Sequence, residues 1–467
     1  MPEDNKTCQI RMHDRKPCGR PHVPGDDKCI CHTKRPGEHG SFRREVDEQL
    51  RRDDIHDFTG FVFPDEFSFG DKEFKRDADF ERATFAGDAK FFHVTFAGNA
   101  NFLDATFKGD ANFYGAKFTG EAKFQRATFT GNAIFYGVKF TGEAKFQRAT
   151  FTGDATFRKA TFTGDAYFVK ATFKDDTHFI TTTFKGRASF DSCHMTEKAH
   201  VRFDSEYGVG AMFAREASFL QVRIDDGARL TFRKVSLNKC HFLETDLKRV
   251  EFIDVTWPCR RRDHPKLKGG KNTPRRWFTL PGNAIYDEFV SRDYALMEES
   301  YRQLQANMIE NYSYRKAGAF HVGEQEMMRK QKGKFWRYFC PAILYRWASK
   351  YGESYWRSLG WLALLLVLFP AIFLYGGVVG TSADSHPISY SFSAYPSDCF
   401  LAQGIEGDYW TCFFDNVSFL TFNRSGLSSR LLHPYQHAFA GMEIVLIVTL
   451  ITFFLLALRR QFKRKSF

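Results

Sequence analysis

Between residues 57 and 190 the apolar positions recur at a fixed and unusual interval. Phe stands at 58, 63, 69, 74, 80, 85, 91, 96, 102, 107, 113 and 118, and the alternation of five and six continues to 190. The unit is 11 residues long, as in A-K-F-Q-R-A-T-F-T-G-D from Ala144 to Asp154. From Phe80 onward the residue two before each Phe is almost always small, as at Ala78, Ala83, Ala89 and Val94. A helix could carry an 11-residue period, but one Gly per unit would cost it ~1 kcal/mol each time. The Thr-rich flanks favour extended backbone instead. Residues two apart on a strand share a face, so the pattern predicts a coiled ladder of very short strands with Phe stacked inside. Gly87, Gly98, Gly109 and Gly120 are expected at the corners, in positive φ.

The ladder extends past residue 190. Strict five-residue spacing reappears at Leu237, Phe242, Leu247 and Phe252, with Val235, Cys240, Thr245 and Val250 two before them. Asp204–Gly210 breaks the phase and is expected to loop out. About nine coils at ~4.8 Å each predict a rod on the order of 40 Å long. Further on, the periodicity becomes helical, with a pair expected over Tyr286–Asn311 and Tyr314–Lys332. A packing hairpin is the simpler reading of that pair, and a peptide groove the sharper one. Arg329–Lys350 has seven basic and no acidic residues, interleaved with aromatics, which suits a headgroup-level segment on anionic lipid.

Two apolar stretches follow. Ser358–Ala383 carries no charge and centres on Leu359–Val379, and Ala438–Leu458 is interrupted only by Glu443. Each meets the ~20 residues needed to cross a bilayer. The tail after residue 458 is strongly basic, whereas the 57 residues from Thr381 to His437 hold two Arg against five acidic residues. The positive-inside rule then puts both termini in the cytosol and the loop outside. Glu443 lies five residues past Ala438, ~8 Å along a helix, and is expected near the outer interface. Gly376 and Gly380 form a GxxxG pair suited to close helix packing.

Composition sharpens this picture at a few points. Phe occurs 53 times in 467 residues, an excess that itself points to an internal repeat, and net charge is +12. Mean hydropathy of −0.41 excludes a polytopic membrane protein but leaves room for two spans. The N-terminus has no apolar stretch of signal-peptide type. Ten cysteines are too few for a disulfide scaffold and divide by position. Cys8, Cys18, Cys29 and His32 lie in a short polar segment too small to fold unaided. Four soft donors suit tetrahedral structural zinc, and Cys31 could replace Cys29 by spacing alone. Cys399 and Cys412 are the only cysteines of the external loop, where a disulfide could form.

The small residue two before a central Phe or Leu resembles the pentapeptide-repeat family. That resemblance implies a right-handed four-sided β-helix over residues 57–256. The extra residue per pair departs from the family consensus and implies a coil of about 22 residues with roomier corners. Some relatives are acidic DNA mimics, but residues 57–190 hold 18 Lys or Arg against 17 Asp or Glu. A mimic needs sustained negative potential, so no nucleic-acid role is expected. The segments "YRQLQANMIENYSYRKAGAFH", "LYRWASKYGESYWRSLGWLALLLV" and "FFLLALRRQFKR" resemble bacterial pentapeptide-repeat membrane proteins with a C-terminal two-span module.

No G-x-S-x-G, P-loop or H-E-x-x-H motif occurs, and His93, His178 and His241 read as wall or surface residues, so no enzyme is expected. "CFFDNVSFLTFNRSGLSS" resembles the pore helix and filter of two-span potassium channels. There Thr421 is followed by Phe422, Asn423 and Arg424 rather than Val-Gly-Tyr-Gly, so potassium selectivity is not supported.

The expected order is a zinc-binding segment (1–45), the β-helix (57–256), a basic linker (257–284), and a helical hairpin with the basic-aromatic segment (285–350). The first span (358–383), the external loop (384–437), the second span (438–458) and a basic cytosolic tail (459–467) complete it. The functional expectation is a cytosolic interaction rod or sensor, tethered to the bacterial inner membrane and binding a protein partner. The alternative is a pore of several copies gated by the rod, with Glu443, Thr421 and Asn423 along its path.

Overall fold

The computed structural model describes residues 7–23, 26–33, 39–51, 55–206, 212–260, 282–333, 341–376, 378–379, 387–388, 410, 413 and 434–463. The chain divides into two compact units, Met1–Met327 and Met328–Phe467.

In the first unit the repeat folds as a solenoid of about nine turns, built from four parallel walls. The walls hold nine, eight, nine and six strands, most only two residues long. One wall alternates Ala-inward with polar-outward residues, so Ala122 pairs with Ala100 and Ala144, one coil away on either side. The next turns Thr outward and Phe inward, as at Thr128–Phe129. Backbone bonds run between coils, for instance Phe124 N–H to Lys145 O at 2.7 Å. Because the register repeats every coil, each Phe lies directly over its equivalent. Phe124 stacks on Phe102 at 4.8 Å and on Phe146 at 4.9 Å, within 2° of parallel. Across the lumen it meets Phe113 and Phe135 edge-on, at 5.5 and 5.6 Å. Such edge contacts match the ring quadrupole, and offset stacks tolerate it. The Ala and Phe of these columns are fully buried.

The corners differ from expectation. Positive φ is adopted not by the repeat glycines but by Arg82, Asp104, Arg126, Arg148 and Lys170 at one corner, and by His93, Gly115, Gly137 and Lys159 at another. The repeat glycines answer a different constraint. A Cβ on Gly131 would lie 2.6 Å from the carbonyl of Gly109 in the coil below, and one on Gly120 2.6 Å from that of Gly98. Glycine is therefore required by the close approach of stacked backbones. Beside it a carboxylate or amide caps the next coil: Asp110 Oδ1 accepts from Asn132 N at 2.8 Å, and Asn132 Oδ1 from Asp154 N at 3.1 Å.

Coil length varies where the phase breaks. The coil containing residues 207–211 spans 29 residues between Asp191 and Leu220, and the last shortens to 20 between Thr231 and Glu251. The open edge of that coil is covered by helices α2 (Asp287–Val290), α3 (Tyr294–Glu310) and α4 (Tyr314–Gln331). Asn307 Nδ2 donates to the carbonyls of Leu247 (3.0 Å) and Val250 (2.7 Å), and Gln303 Oε1 accepts from Leu247 N at 2.9 Å. Asp287 takes Phe242 N–H at 3.0 Å and lies 2.8 Å from His241 Nδ1. Trp257 meets Phe320 edge-on at 5.2 Å. The helical pair is thus an end cap, which satisfies strand groups that would otherwise template another chain.

In the second unit, helix α5 (Pro341–Ser349) packs on two longer apolar helices, α6 (Tyr355–Gly376) and α7 (Pro434–Lys463). Tyr355 meets Phe454 at 6.3 Å, and Trp361 and Leu365 line one groove with Leu450 and Leu446, so α6 and α7 run antiparallel. Residues 438–459 of α7 form a helix long and apolar enough to cross a membrane. The apolar run of α6 is shorter by that measure, Tyr355–Pro370, with Pro370 inside the helix. Val378–Val379 leaves the helix to pair with Pro387–Ile388, so the first stretch is helical over less of its length than its apolarity suggests.

Candidate metal centre

Residues 7–21 form an antiparallel hairpin, with Cys8 N–H bonded to Arg20 O (2.8 Å) and Cys18 N–H to Ile10 O (2.8 Å). Arg15 at φ 63° turns it, and Gly19 at φ 68° follows Cys18. This pairing brings Cys8 and Cys18 side by side. A second element, the turn at Cys29, bonds His32 N–H and Thr33 N–H to Cys29 O at 2.9 and 3.0 Å, which sets Cys29 and His32 on one face.

The four donor atoms of Cys8, Cys18, Cys29 and His32 all lie within 4.8 Å of one another. Cys18 and Cys29 sulfurs are 3.7 Å apart, and His32 Nδ1 is 3.5 Å from Cys8 Sγ and 3.0 Å from Cys29 Sγ. Tetrahedral zinc with bonds of ~2.3 Å to sulfur and ~2.0 Å to nitrogen would separate its donors by ~3.8 and ~3.5 Å. The set therefore has the size and the chemistry to hold a metal ion. Cys31, the spacing alternative, is also buried but falls outside the group; its carbonyl accepts from Val62 N at 2.7 Å.

The surroundings fit the same reading. His32 Nε2 lies 3.0 Å from Thr59 O, so a proton there leaves the Nδ1 lone pair for the metal. Arg20 donates to Cys18 Sγ at 3.1 Å and is held by Glu45 at 2.8 Å. Hydrogen bonding from Cys29, then His32 and Arg20, draws the Cys18 thiol down to about 3. Cys18 in turn, with Cys31 and burial, pushes Cys29 up.

The centre is built onto the first coil. His32 meets Phe61 edge-on at 5.4 Å, and His13 N–H donates to Asp57 Oδ2 at 3.1 Å. Helix α1 (His39–Arg51) sets Phe42 against Phe63 at 5.4 Å, and its Gln49 carbonyl lies 3.0 Å from His56 Nδ1. The cluster and α1 therefore cap the N-terminal end of the solenoid, as the helices cap the other. Sequence reasoning missed Arg20 and Thr59. An arginine two residues after a ligand was visible, but Thr59 contributes only a carbonyl and leaves no side-chain signal.

Cys399, Cys412, Thr421, Asn423 and Gly380 lie outside the described residues, and Gly376 is the last residue of α6. Glu443 sits in α7 with its side chain fully buried within the chain. His93 is exposed at a corner, while His241 joins the solenoid to its cap.

Comparison with known proteins adds one match. The family model "Pentapeptide repeats (9 copies)" matches residues 69–117, 105–150 and 146–194. No curated protein matches the chain.

Proposed function

We propose that the chain is a membrane-tethered scaffold, in which a capped β-solenoid presents its walls to a protein partner at the cytosolic face of a membrane. The observation that carries the tether is the 22-residue apolar segment Ala438–Arg459, whose 18-residue apolar stretch is only 22% buried within the chain. In this reading α6 is the other span, preceding α7 in the chain, and the basic tail keeps both ends on the cytosolic side. The rod supplies the interaction surface. Its outward columns differ from wall to wall, from a Thr ladder at Thr106, Thr128 and Thr150 to stacked Tyr114 and Tyr136, 5.3 Å apart at one corner. Solenoids of this repeat commonly serve protein interaction, and no motif points to an enzyme.

The four-donor cluster is assigned to structural zinc, which would hold the hairpin against the turn through two thiolate-bearing elements. Four protein donors leave no open position for a reacting water. Burial of Glu443 within a single chain favours a packing role over a position along an axis between copies.

The test is site-specific photocrosslinking in cells, with the reactive residue placed at Lys123, Thr128, Ile134 or Lys139, one per wall. Discrete heteromeric adducts confined to one or two walls are expected. Adducts from no wall, or equal smears from all four, would refute the scaffold.

A further inference from the structure

Inside the second unit, α5, α6 and α7 enclose an apolar groove of about 620 Å³, lined by Ile343, Trp347, Trp361, Leu365, Leu446 and Leu450 among others. Its rim is open, since Trp347 is 41% and Trp361 42% exposed. Tyr345 on α5 reaches Phe453 on α7 at 4.8 Å, so α5 is docked along the apolar pair. Trp361 and Leu365 lie six and ten residues past Tyr355, ~9 and ~15 Å along α6. The groove therefore starts near the level of the α6 N-terminus and runs toward the helix middle.

Three features say what fits. The lining is apolar apart from Thr449, whose hydroxyl donates to Val445 O at 2.6 Å within its own helix. A methylene occupies about the ~30 Å³ of a liquid water, so the volume holds on the order of twenty, one long acyl chain. The flank is cationic: Arg346 places its guanidinium 5.9 Å from the Trp347 ring, and residues 341–360 carry Arg346, Lys350 and Arg357 against Glu353 alone. A basic residue beside an apolar slot at a bilayer complements a phosphate headgroup.

We infer that this groove holds one acyl chain of an anionic phospholipid, with its headgroup beside Arg346. The inference rests on the membrane reading above. A bound lipid would fill the wedge between α5 and the two apolar helices, fixing α5 at the leaflet.

The test uses the full chain, extracted from membranes in mild detergent and weighed by native mass spectrometry. One phospholipid should remain per chain, and phosphatidylglycerol should be preferred over phosphatidylcholine by about fivefold. Thr449→Trp fills the slot and should lose the retained lipid while the protein still resists carbonate extraction. Arg346→Glu should keep the chain but lose the headgroup preference. Brominated phosphatidylglycerol carried through purification should quench wild-type fluorescence, and Trp347→Phe should remove part of the quenched component, a readout independent of whether the filled variant folds. A carbonate-resistant wild type retaining no phospholipid, a free fatty acid in its place, or a dimer that excludes lipid would overturn the inference alone. Release of the wild type by carbonate would overturn the membrane reading itself.

Discussion

Gly131→Ala separates two explanations of the repeat glycines. Gly131 is not in the left-handed region, but a Cβ there would lie 2.6 Å from both the carbon and the oxygen of the Gly109 carbonyl and 2.9 Å from Asp110 N. Relief to an ordinary 3.4 Å contact means opening two coils by about 0.8 Å against rigid backbone. That strains the neighbouring bonds, Thr130 N–H to Phe107 O at 2.8 Å and Asn132 N–H to Asp110 Oδ1 at 2.8 Å. Two weakened bonds at up to ~1 kcal/mol each, plus overpacking of ~1–3 kcal/mol, give a local cost of at least about 3 kcal/mol when the bonds are lost in full. Gly137→Ala is the control: it has φ +67° and nothing within 4 Å of the added Cβ, so only the left-handed strain of ~1–2 kcal/mol applies. Hydrogen exchange of peptides spanning residues 105–160 in the full chain reads both, since Gly137 N–H donates to Arg158 O at 2.9 Å. At a tenfold rate per ~1.4 kcal/mol, Gly131→Ala should speed local exchange on the order of 100-fold and Gly137→Ala about tenfold. A Gly137→Ala effect equal to or larger than that of Gly131→Ala would refute the close-approach account.

Further outcomes follow from the same structure. Phe124→Ala, mid-column and fully buried, should cost ~3–5 kcal/mol, while Lys123→Ala, whose ion pair to Glu121 at 3.3 Å is partly exposed, should cost under ~1 kcal/mol; thermal melts that shift equally would contradict the register. Metal analysis should find one zinc per chain, and Cys18→Ser should abolish it and raise protease sensitivity of residues 7–51 first, whereas Cys31→Ser should retain the metal. Glu324 is held below the usual carboxylate range by the hydrogen bond to His321 and by Arg302 at 3.3 Å. Its contribution is present above the unfolded value of ~4.3 and is lost as pH falls through the lower folded value. Glu324→Gln should therefore flatten the acid limb of cap stability measured by hydrogen exchange over α4.

The Phe columns were legible because a five-six spacing has one simple geometric meaning, and the stacked rings reproduce it coil by coil. The glycines were read at the right places for the wrong reason. A sequence records that a side chain is absent, not whether the backbone needs rotation or room. Arg82 and Arg126 carry the positive φ, which nothing in their identity suggests. The donor set was legible from residue type, but Cys29 and Cys31 stand equally well by spacing, and only the turn that bonds His32 N–H to Cys29 O separates them. The end-capping role of the helical pair rests on Asn307 reaching Leu247, 60 residues away, a contact with no local signature. Apolarity overstated the first stretch, since α6 stops at Gly376 and the chain turns into a short strand pair.

The central claim is that a capped rod is held to a membrane by α7 and its apolar neighbour. Alkaline carbonate extraction of membranes containing the full chain, followed by protease treatment of sealed vesicles of both orientations, tests it most directly. The account predicts a chain that stays in the membrane pellet, with the solenoid and the basic tail cut from the same side. A chain released by carbonate, or a solenoid and tail cut from opposite sides, would contradict it.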